Sequence, residues 1–277
     1  MSKLSVHLQL YTVRDDFEND YFGILEKVRE MGYDGVEYAG VFGGLTAREI
    51  HAKTDALGLE PISAHVSFDL LEKEETIVFH KELGCRYVTI PWMDLSMLPG
   101  GDKWPEYKDR IVKLAEKLKG YDIELLYHNH NFEFEVHNGK YILDELYDSI
   151  PADLLKAQLD TCWINVANED PVAYVNKYAG RLPIVHLKDY TADRRVETGE
   201  KLFELIGNED EDSGEKKQDI NFDFRPVGHG IMTFPPIIEA VKKAGINHVV
   251  VEQDMSTQRP AIEAAKMSID YLRGLGN

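Results

Sequence analysis

The sequence predicts an α/β fold, a single-domain (β/α)8 barrel spanning residues 1–277, and three observations predict it. Short runs rich in β-branched and aromatic residues alternate with longer stretches of 3.6-residue periodicity, the pattern of successive βα units feeding a parallel sheet. Eight such units can be drawn, and eight parallel strands close into a barrel. Several helical stretches end on a glycine that leads into a strand, at Met31-Gly32-Tyr33, Leu57-Gly58-Leu59, Leu83-Gly84-Cys85 and Ala244-Gly245-Ile246, as repeated αβ loops require.

Taken in order, the strands begin near Ser5 (SVHLQL), Asp34 (DGVEYA), Glu60 (EPISAHV), Arg86 (RYVTIP), Asp122 (DIELLYH), Lys156 (KAQLD), Leu182 (LPIVHLK) and Asn247 (NHVVVEQD). The first six intervals between these starts run from 26 to 36 residues, one crossover helix each. The seventh is 65 residues long and holds one helix plus an insertion from about Thr191 to Phe224. Its NEDEDSGEKKQD stretch is polar and without an apolar period. It reads as a solvated surface excursion or, because it follows strand seven on the face where such barrels bind substrates, as a lid or partner contact.

With 31 Lys+Arg against 49 Asp+Glu, the formal charge is −18. An acidic chain with no basic run lacks the cations that hold phosphates, so nucleic acid is excluded as the expected partner and an anionic membrane surface is disfavoured. A hydrophobic content of 43% with 29% charged residues is ordinary globular composition, sufficient for a large core. No segment approaches the roughly 20 continuous apolar residues that span a bilayer, and MSKLSVHLQL is too polar for a secretory leader, so a cytoplasmic location is expected. Cys85 and Cys162 lie in apolar stretches with no CxxC pairing and read as reduced core thiols.

Barrels of this kind carry their chemistry at the carboxyl ends of the strands. Reactive residues end the strands drawn above: Gln9 and Tyr11 after the first, Glu37 after the second, His65 after the third, Trp92 after the fourth. His128, His130 and Glu133 follow the fifth, Asp160 the sixth, His186 and Lys188 the seventh, Glu252 and Asp254 the eighth. Apolar runs such as VVVEQD deliver a carboxylate to an otherwise buried mouth, where an unpaired charge costs several kcal/mol. A divalent cation is the simplest compensation; ion pairs and hydrogen bonds among Asp160, His186 and Glu252 are the alternative. Carboxylates mixed with neutral imidazoles suit Mn²⁺, Co²⁺, Zn²⁺ or Fe²⁺ better than Ca²⁺.

The motifs that carry a resemblance span most of the chain. They are Gln-Leu-Tyr-Thr-Val-Arg at 9–14, Gly-Val-Glu at 35–37, His-Asn-His-Asn-Phe-Glu-Phe at 128–134, Gln-Leu-Asp at 158–160, His-Leu-Lys-Asp at 186–189, Val-Gly-His-Gly at 227–230 and Val-Glu-Gln-Asp at 251–254. On these the chain resembles the xylose isomerase-like barrel superfamily, in particular the sugar phosphate isomerase/epimerase group with its inosose dehydratases, tagatose-type epimerases and 3-keto-glycoside-processing enzymes. The resemblance implies one divalent metal, Mn²⁺ first and Co²⁺, Zn²⁺, Mg²⁺ or Fe²⁺ as alternatives, held after strands five to eight. Asp160, His186 and Glu252 match three ligand positions. At the fourth, where many members carry a glutamate, this chain has His128-Asn129-His130; the ligand role is carried to Glu133, with His128 as the substitute.

Such a site suits an α-hydroxy carbonyl substrate, a keto-sugar or related polyol whose α-proton is removed to an enediolate. Returning the proton elsewhere gives isomerisation or epimerisation; expelling a β leaving group gives dehydratase or lyase chemistry on an inosose or 3-keto-glycoside. A catalytically dead sugar-binding barrel is the third reading. Glu252 and Glu133 are the expected ligands and acid/base groups, with His128 or His130 as a second acid/base. Lys188 is read as the stabiliser of the developing oxyanion or as an ordinary salt-bridge partner. His65 and Glu37 are read as partners of sugar hydroxyls or as satisfied residues inside the barrel; Gln9 and Asp254 join the substrate-binding set, and Trp92 offers an apolar wall or a packed rim aromatic.

Other signals carry less. Gly228-His229-Gly230 lacks the third glycine and the strand context of a dinucleotide fingerprint. His51, His80 and His137 sit on polar stretches and read as solvated. GxSxG, HExxH and Walker A patterns are absent, which removes the common hydrolase, metalloprotease and NTPase readings. No phosphate cradle is evident, so an unphosphorylated substrate is expected. A homodimer is the default assembly because closed two-fold oligomers are commonest.

Overall fold

The computed structural model describes residues 3–18, 20–193 and 221–276. Its eight principal strands are β1 (Ser5–Gln9), β2 (Gly35–Tyr38), β3 (Glu60–His65), β4 (Tyr87–Ile90), β5 (Glu124–His128), β6 (Lys156–Asp160), β7 (Ile184–Leu187) and β8 (His248–Val251). All pair in parallel, and β1 meets both β2 and β8 to close the barrel. The seam is in register from Ser5 opposite His248 to Leu8 opposite Val251.

The outer ring comprises α1 (Tyr21–Met31), α2 (Ala47–Leu57), α3 (Glu74–Glu82), α4 (Trp104–Lys119), α5 (Ile142–Ser149), α6 (Pro171–Tyr178), α7 (Phe234–Lys243) and α8 (Ala261–Gly274). Their boundaries follow local chemistry. A capping box between Thr46 and Glu49 starts α2, and Gly58, at a φ of 65° that disfavours any Cβ, ends it. Along α4, Tyr107, Ile111, Leu114, Ala115 and Leu118 repeat at the spacing of one helical face, and all are buried.

Most of the core lies between strands and helices. A second apolar cluster, Ile62, Tyr87, Leu126, Ile184 and Val250, is separate from it. Leu126, Ile184 and Val250 stand two residues before His128, His186 and Glu252, so strand alternation puts them on the inward face, one layer beneath those groups. The barrel interior is thus plugged by hydrocarbon below and lined by polar groups above. Cys85 and Cys162 are buried free thiols, as their apolar contexts imply.

Two short antiparallel strand pairs were not read from the sequence. Val136–His137 pairs with Lys140–Tyr141 across Asn138 and Gly139, whose φ values of 50° and 81° both lie in the left-handed region, as a tight hairpin turn demands. Asp189–Thr191 pairs antiparallel with Asp223–Arg225. This pair brackets the insertion expected over 191–224, of which residues 194–220 lie outside the described residues. No helix among the described residues is long and apolar enough to cross a membrane.

Candidate active site

The carboxyl ends of β5 to β8 bring His128, Asp160, His186 and Glu252 together, with one ligand atom of each within 4.8 Å of the others. All four are buried. Asp160 shows how local structure aims one atom. Its Oδ1 caps the short helix Thr161–Val166 by accepting from the amides of Cys162 and Trp163, and this leaves Oδ2 buried with no hydrogen-bond partner. His128 Nε2 stands 3.7 Å from that oxygen and Lys188 Nζ 3.3 Å. A buried carboxylate oxygen of this kind fits a cation, as does the mixed imidazole and carboxylate donor set.

Beneath this group lies a hydrogen-bonded layer centred on Glu37. Its Oε1 is 2.7 Å from His186 Nε2 and accepts from Gln9 Nε2 at 2.7 Å; its Oε2 accepts from Gln158 Nε2 at 2.6 Å and from the Ser63 hydroxyl. Gln158 Oε1 in turn faces His65 Nε2 at 2.7 Å and His128 Nδ1 at 3.2 Å. These contacts orient both imidazoles, turning His186 Nδ1 towards Glu252 Oε2 at 3.0 Å and His128 Nε2 towards Asp160.

Charge is distributed unevenly. Burial favours the neutral form of His128 and the nearby His186 and His65 add to it, so its pKa lies well below the ordinary imidazole value and one ring nitrogen keeps its lone pair. Burial opposes the charge of His186, but Glu37 and Glu252 outweigh it and raise that group to about 10. Burial opposes ionisation of Glu37 and Glu252 too, and is overcome by His65 and His186 for the first and Lys188 for the second; both lie well below the carboxylate range. Asp254 is pushed up to about 6 by burial, with Glu252 adding to the rise.

Lys188 is 1% exposed, and its ammonium meets Asp254 at 2.9 and 3.1 Å, Glu252 at 3.0 Å and Asp160 at 3.3 Å. Lys188 thus donates to both oxygens of Asp254 and stands at ion-pair distance from Glu252 and Asp160, a cation shared by three carboxylates. Glu37, Asp160, Glu252 and Asp254 still outnumber the two buried cations, Lys188 and the protonated His186, an excess of negative charge that a divalent ion displacing the His186 proton would offset.

Glu133 does not join the converging group. It sits in the helical turn Phe132–Phe134, where Oε1 accepts from the Tyr127 hydroxyl at 2.7 Å and Oε2 from the amide of His130 at 2.8 Å. The fourth member of the converging group is His128, the last residue of β5, and Glu133 instead braces the loop that follows. Gln9, expected in the substrate-binding set, and Glu37, read as a partner of sugar hydroxyls or as a satisfied residue inside the barrel, are fully buried partners of one another. A cavity of about 740 Å³ opens above the site and is reached by His65, His128, His130, Lys188, Glu252 and Asp254. Phe42, Val66, Leu70, Phe79 and the 41%-exposed Trp92 form an apolar side to it.

His80 also lines this cavity and is 3% exposed, which corrects its reading as a solvated residue: α3 packs it against Phe42, and Nδ1 bonds the Thr76 carbonyl at 2.7 Å. Gln158 and Ser63 were missed as site residues. Gln158 precedes Asp160 by two positions, so strand alternation was a signal that could have found it. The Val-Gly-His-Gly motif has a structural use: the amides of Gly228, Gly230 and Met232 all donate to the Asp189 carboxylate.

Comparisons with known proteins agree with this architecture. The chain is 25% identical over 274 residues to the rhizopine catabolism protein MocC of Rhizobium meliloti, covering 90% of this chain and 79% of that protein. It is 24% identical over 276 residues to an inosose dehydratase of Geobacillus kaustophilus strain HTA426, covering 90% and 85%. The crystal structure of a sugar phosphate isomerase/epimerase from Parabacteroides distasonis ATCC 8503 superposes with a TM-score of 0.75 over 98% of each chain at 22% identity, which shows a shared fold. The model of the xylose isomerase-like TIM barrel family matches residues 25–275, and with a closed eight-stranded parallel barrel in place the chain belongs to that family.

Proposed function

We propose that the chain is an enzyme that removes the proton α to a carbonyl of a keto-sugar or related keto-polyol, in the manner of a sugar isomerase or epimerase. The observation that carries this reading is the convergence of His128, Asp160, His186 and Glu252 at the base of the cavity. His128, Asp160, His186 and Glu252 would hold one divalent ion, Mn²⁺ first and Co²⁺, Zn²⁺, Mg²⁺ or Fe²⁺ as alternatives, which would supply Lewis-acid chemistry to an α-hydroxy carbonyl. Glu252 is the proton acceptor: it is ionised and borders the cavity. His130, which borders the same cavity, is the second proton carrier. Lys188 keeps Asp254 and Glu252 in place and lends positive potential where negative charge develops. His65 and Asp254 offer polar contacts to hydroxyls, and Trp92 an apolar wall to a ring face.

Elimination is the second reading, favoured by a specific observation. With Glu133 held by Tyr127 and His130, Glu252 is the carboxylate of the donor group that reaches the cavity. One base suffices to remove a proton and expel a β substituent, whereas epimerisation needs proton donors on both faces of the carbon. The likeness to an inosose dehydratase points the same way.

Proton NMR in D₂O with the Mn²⁺-loaded chain and a panel of keto-sugars, an inosose and 3-keto-glycosides tests both. Exchange at the α-carbon with all substrate atoms retained supports the isomerase reading; a product lacking water or an aglycone supports elimination. Binding without exchange, in a parent chain indistinguishable from Glu252→Gln, would overturn both and leave a sugar-binding barrel.

A further inference from the structure

The opposite end of the barrel holds a second convergence of donors. His7, inward-facing in β1, places Nε2 3.2 Å from Nδ1 of His248 at the start of β8. Glu60, at the start of β3, brings Oε2 to 3.7 Å from His7 Nε2 and 3.9 Å from His248 Nδ1. His7 is fully buried, His248 is partly covered and Glu60 is half-exposed, so the group lines the barrel floor with one side open to solvent.

We infer that His7, Glu60 and His248 form a second, non-catalytic site for a borderline transition-metal ion such as Zn²⁺, tying β1, β3 and β8 together at the barrel floor. Donors about 2.0–2.2 Å from a tetrahedral zinc ion lie about 3.3–3.6 Å from one another. The observed separations of 3.2, 3.7 and 3.9 Å bracket that spacing. Half-exposed Glu60 has the freedom to close the small excess, and the open side leaves room for water as the fourth ligand.

Further features suit a ligating role. The backbone of β2 is stripped of side chain where it passes His7: a Cβ on Gly35 would fall 2.4 Å from His7 Nδ1 and 2.2 Å from the Glu60 carbonyl. One ligand atom of each of the three residues lies within 4.8 Å of the others, the same closeness shown by the group at the upper end. One and the same oxygen of Glu60 faces both ring nitrogens, the arrangement of three donors around one ion. Residues 241 apart in sequence meet here, at the seam where the first and last strands close the barrel. An ion bound only by the folded chain stabilises that closure.

The test is zinc content by mass spectrometry and thermal melting of the chelator-stripped chain reloaded with Zn²⁺, with Asp160→Ala, His248→Gln and the double variant in parallel. Asp160→Ala disables the upper group and leaves the floor intact. The expected result is one zinc per chain in Asp160→Ala, none in the double variant, and a zinc-induced rise in Tm that the double variant loses. Equal zinc in Asp160→Ala and the double variant, or none in Asp160→Ala, would overturn the floor site. If Asp160→Ala fails to fold, the parent against His248→Gln decides: one zinc fewer supports the site, equal zinc refutes it. The upper site fails separately, through a parent that holds no more zinc than Asp160→Ala.

Discussion

Glu37 Oε1 lies 2.7 Å from His186 Nε2, and this contact determines which imidazole nitrogen faces Glu252. Glu37 comes from β2 and His186 from β7, so the barrel itself builds the support for the candidate ligand. A carboxylate behind a ligating imidazole fixes its orientation and raises its basicity. Glu37→Gln is expected to weaken binding of Mn²⁺ at the upper site by about 10–100-fold. Competition against a chromophoric chelator measures this, and an unchanged affinity would show that His186 needs no such partner.

Lys188 makes a prediction about stability that depends on metal. Removing one partner of a buried charge cluster leaves the others uncompensated, at about 3–5 kcal/mol. Lys188→Met is therefore expected to destabilise the stripped chain by that order, because Asp160, Glu252 and Asp254 lose their shared cation. Mn²⁺ should restore part of the loss. Urea unfolding with and without the ion reads both effects, and equal losses in the two conditions would separate Lys188 from the ion site.

Gly35 tests the packing of the floor. A methyl group there meets the Glu60 carbonyl and the His7 ring at well under contact distance. Overpacking of this kind costs about 1–3 kcal/mol. Gly35→Ala should lower Tm accordingly and displace His7, so floor zinc should fall with it; a variant as stable as the parent would show that β2 can yield.

His80 supplies a pH dependence. Burial is the main cause that lowers its pKa, against a smaller opposing effect of its bond to Thr76. The unfolded chain takes up this proton near pH 6.5 while the folded chain resists it, so the unfolded state holds more protons and stability falls as pH drops below about 6.5. His80→Gln should flatten that part of the profile. Unfolding free energies at pH 7.5, 6.5 and 5.5 compare the two slopes, and parallel slopes would assign the acid sensitivity elsewhere.

Much of this molecule could be read from sequence because its determinants are local. The 3.6-residue stripe of α4, the glycine after α2 and the apolar runs of β4 and β8 depend on residues within one or two turns of each other, so eight βα units and their strand-end residues followed directly. Asp160, His186 and Glu252 converge as the strand ends implied. The His137-Asn138-Gly139-Lys140 turn was equally local and was overlooked.

What tertiary structure alone decided depends on strand register and on loops folding back. His128 and Glu133 both follow β5, and only the capture of Glu133 by Tyr127 and by the amide of His130 leaves His128 to face Asp160. Gln158 became central through a contact with Glu37 that spans 121 residues, and His7 met His248 across 241. His80 is covered by a neighbouring loop that its own helix pattern does not reveal. Periodicity specifies which face of an element turns inward; which groups then meet across the barrel is set by how eight strands are staggered against one another, a property of the closed sheet and of no single segment.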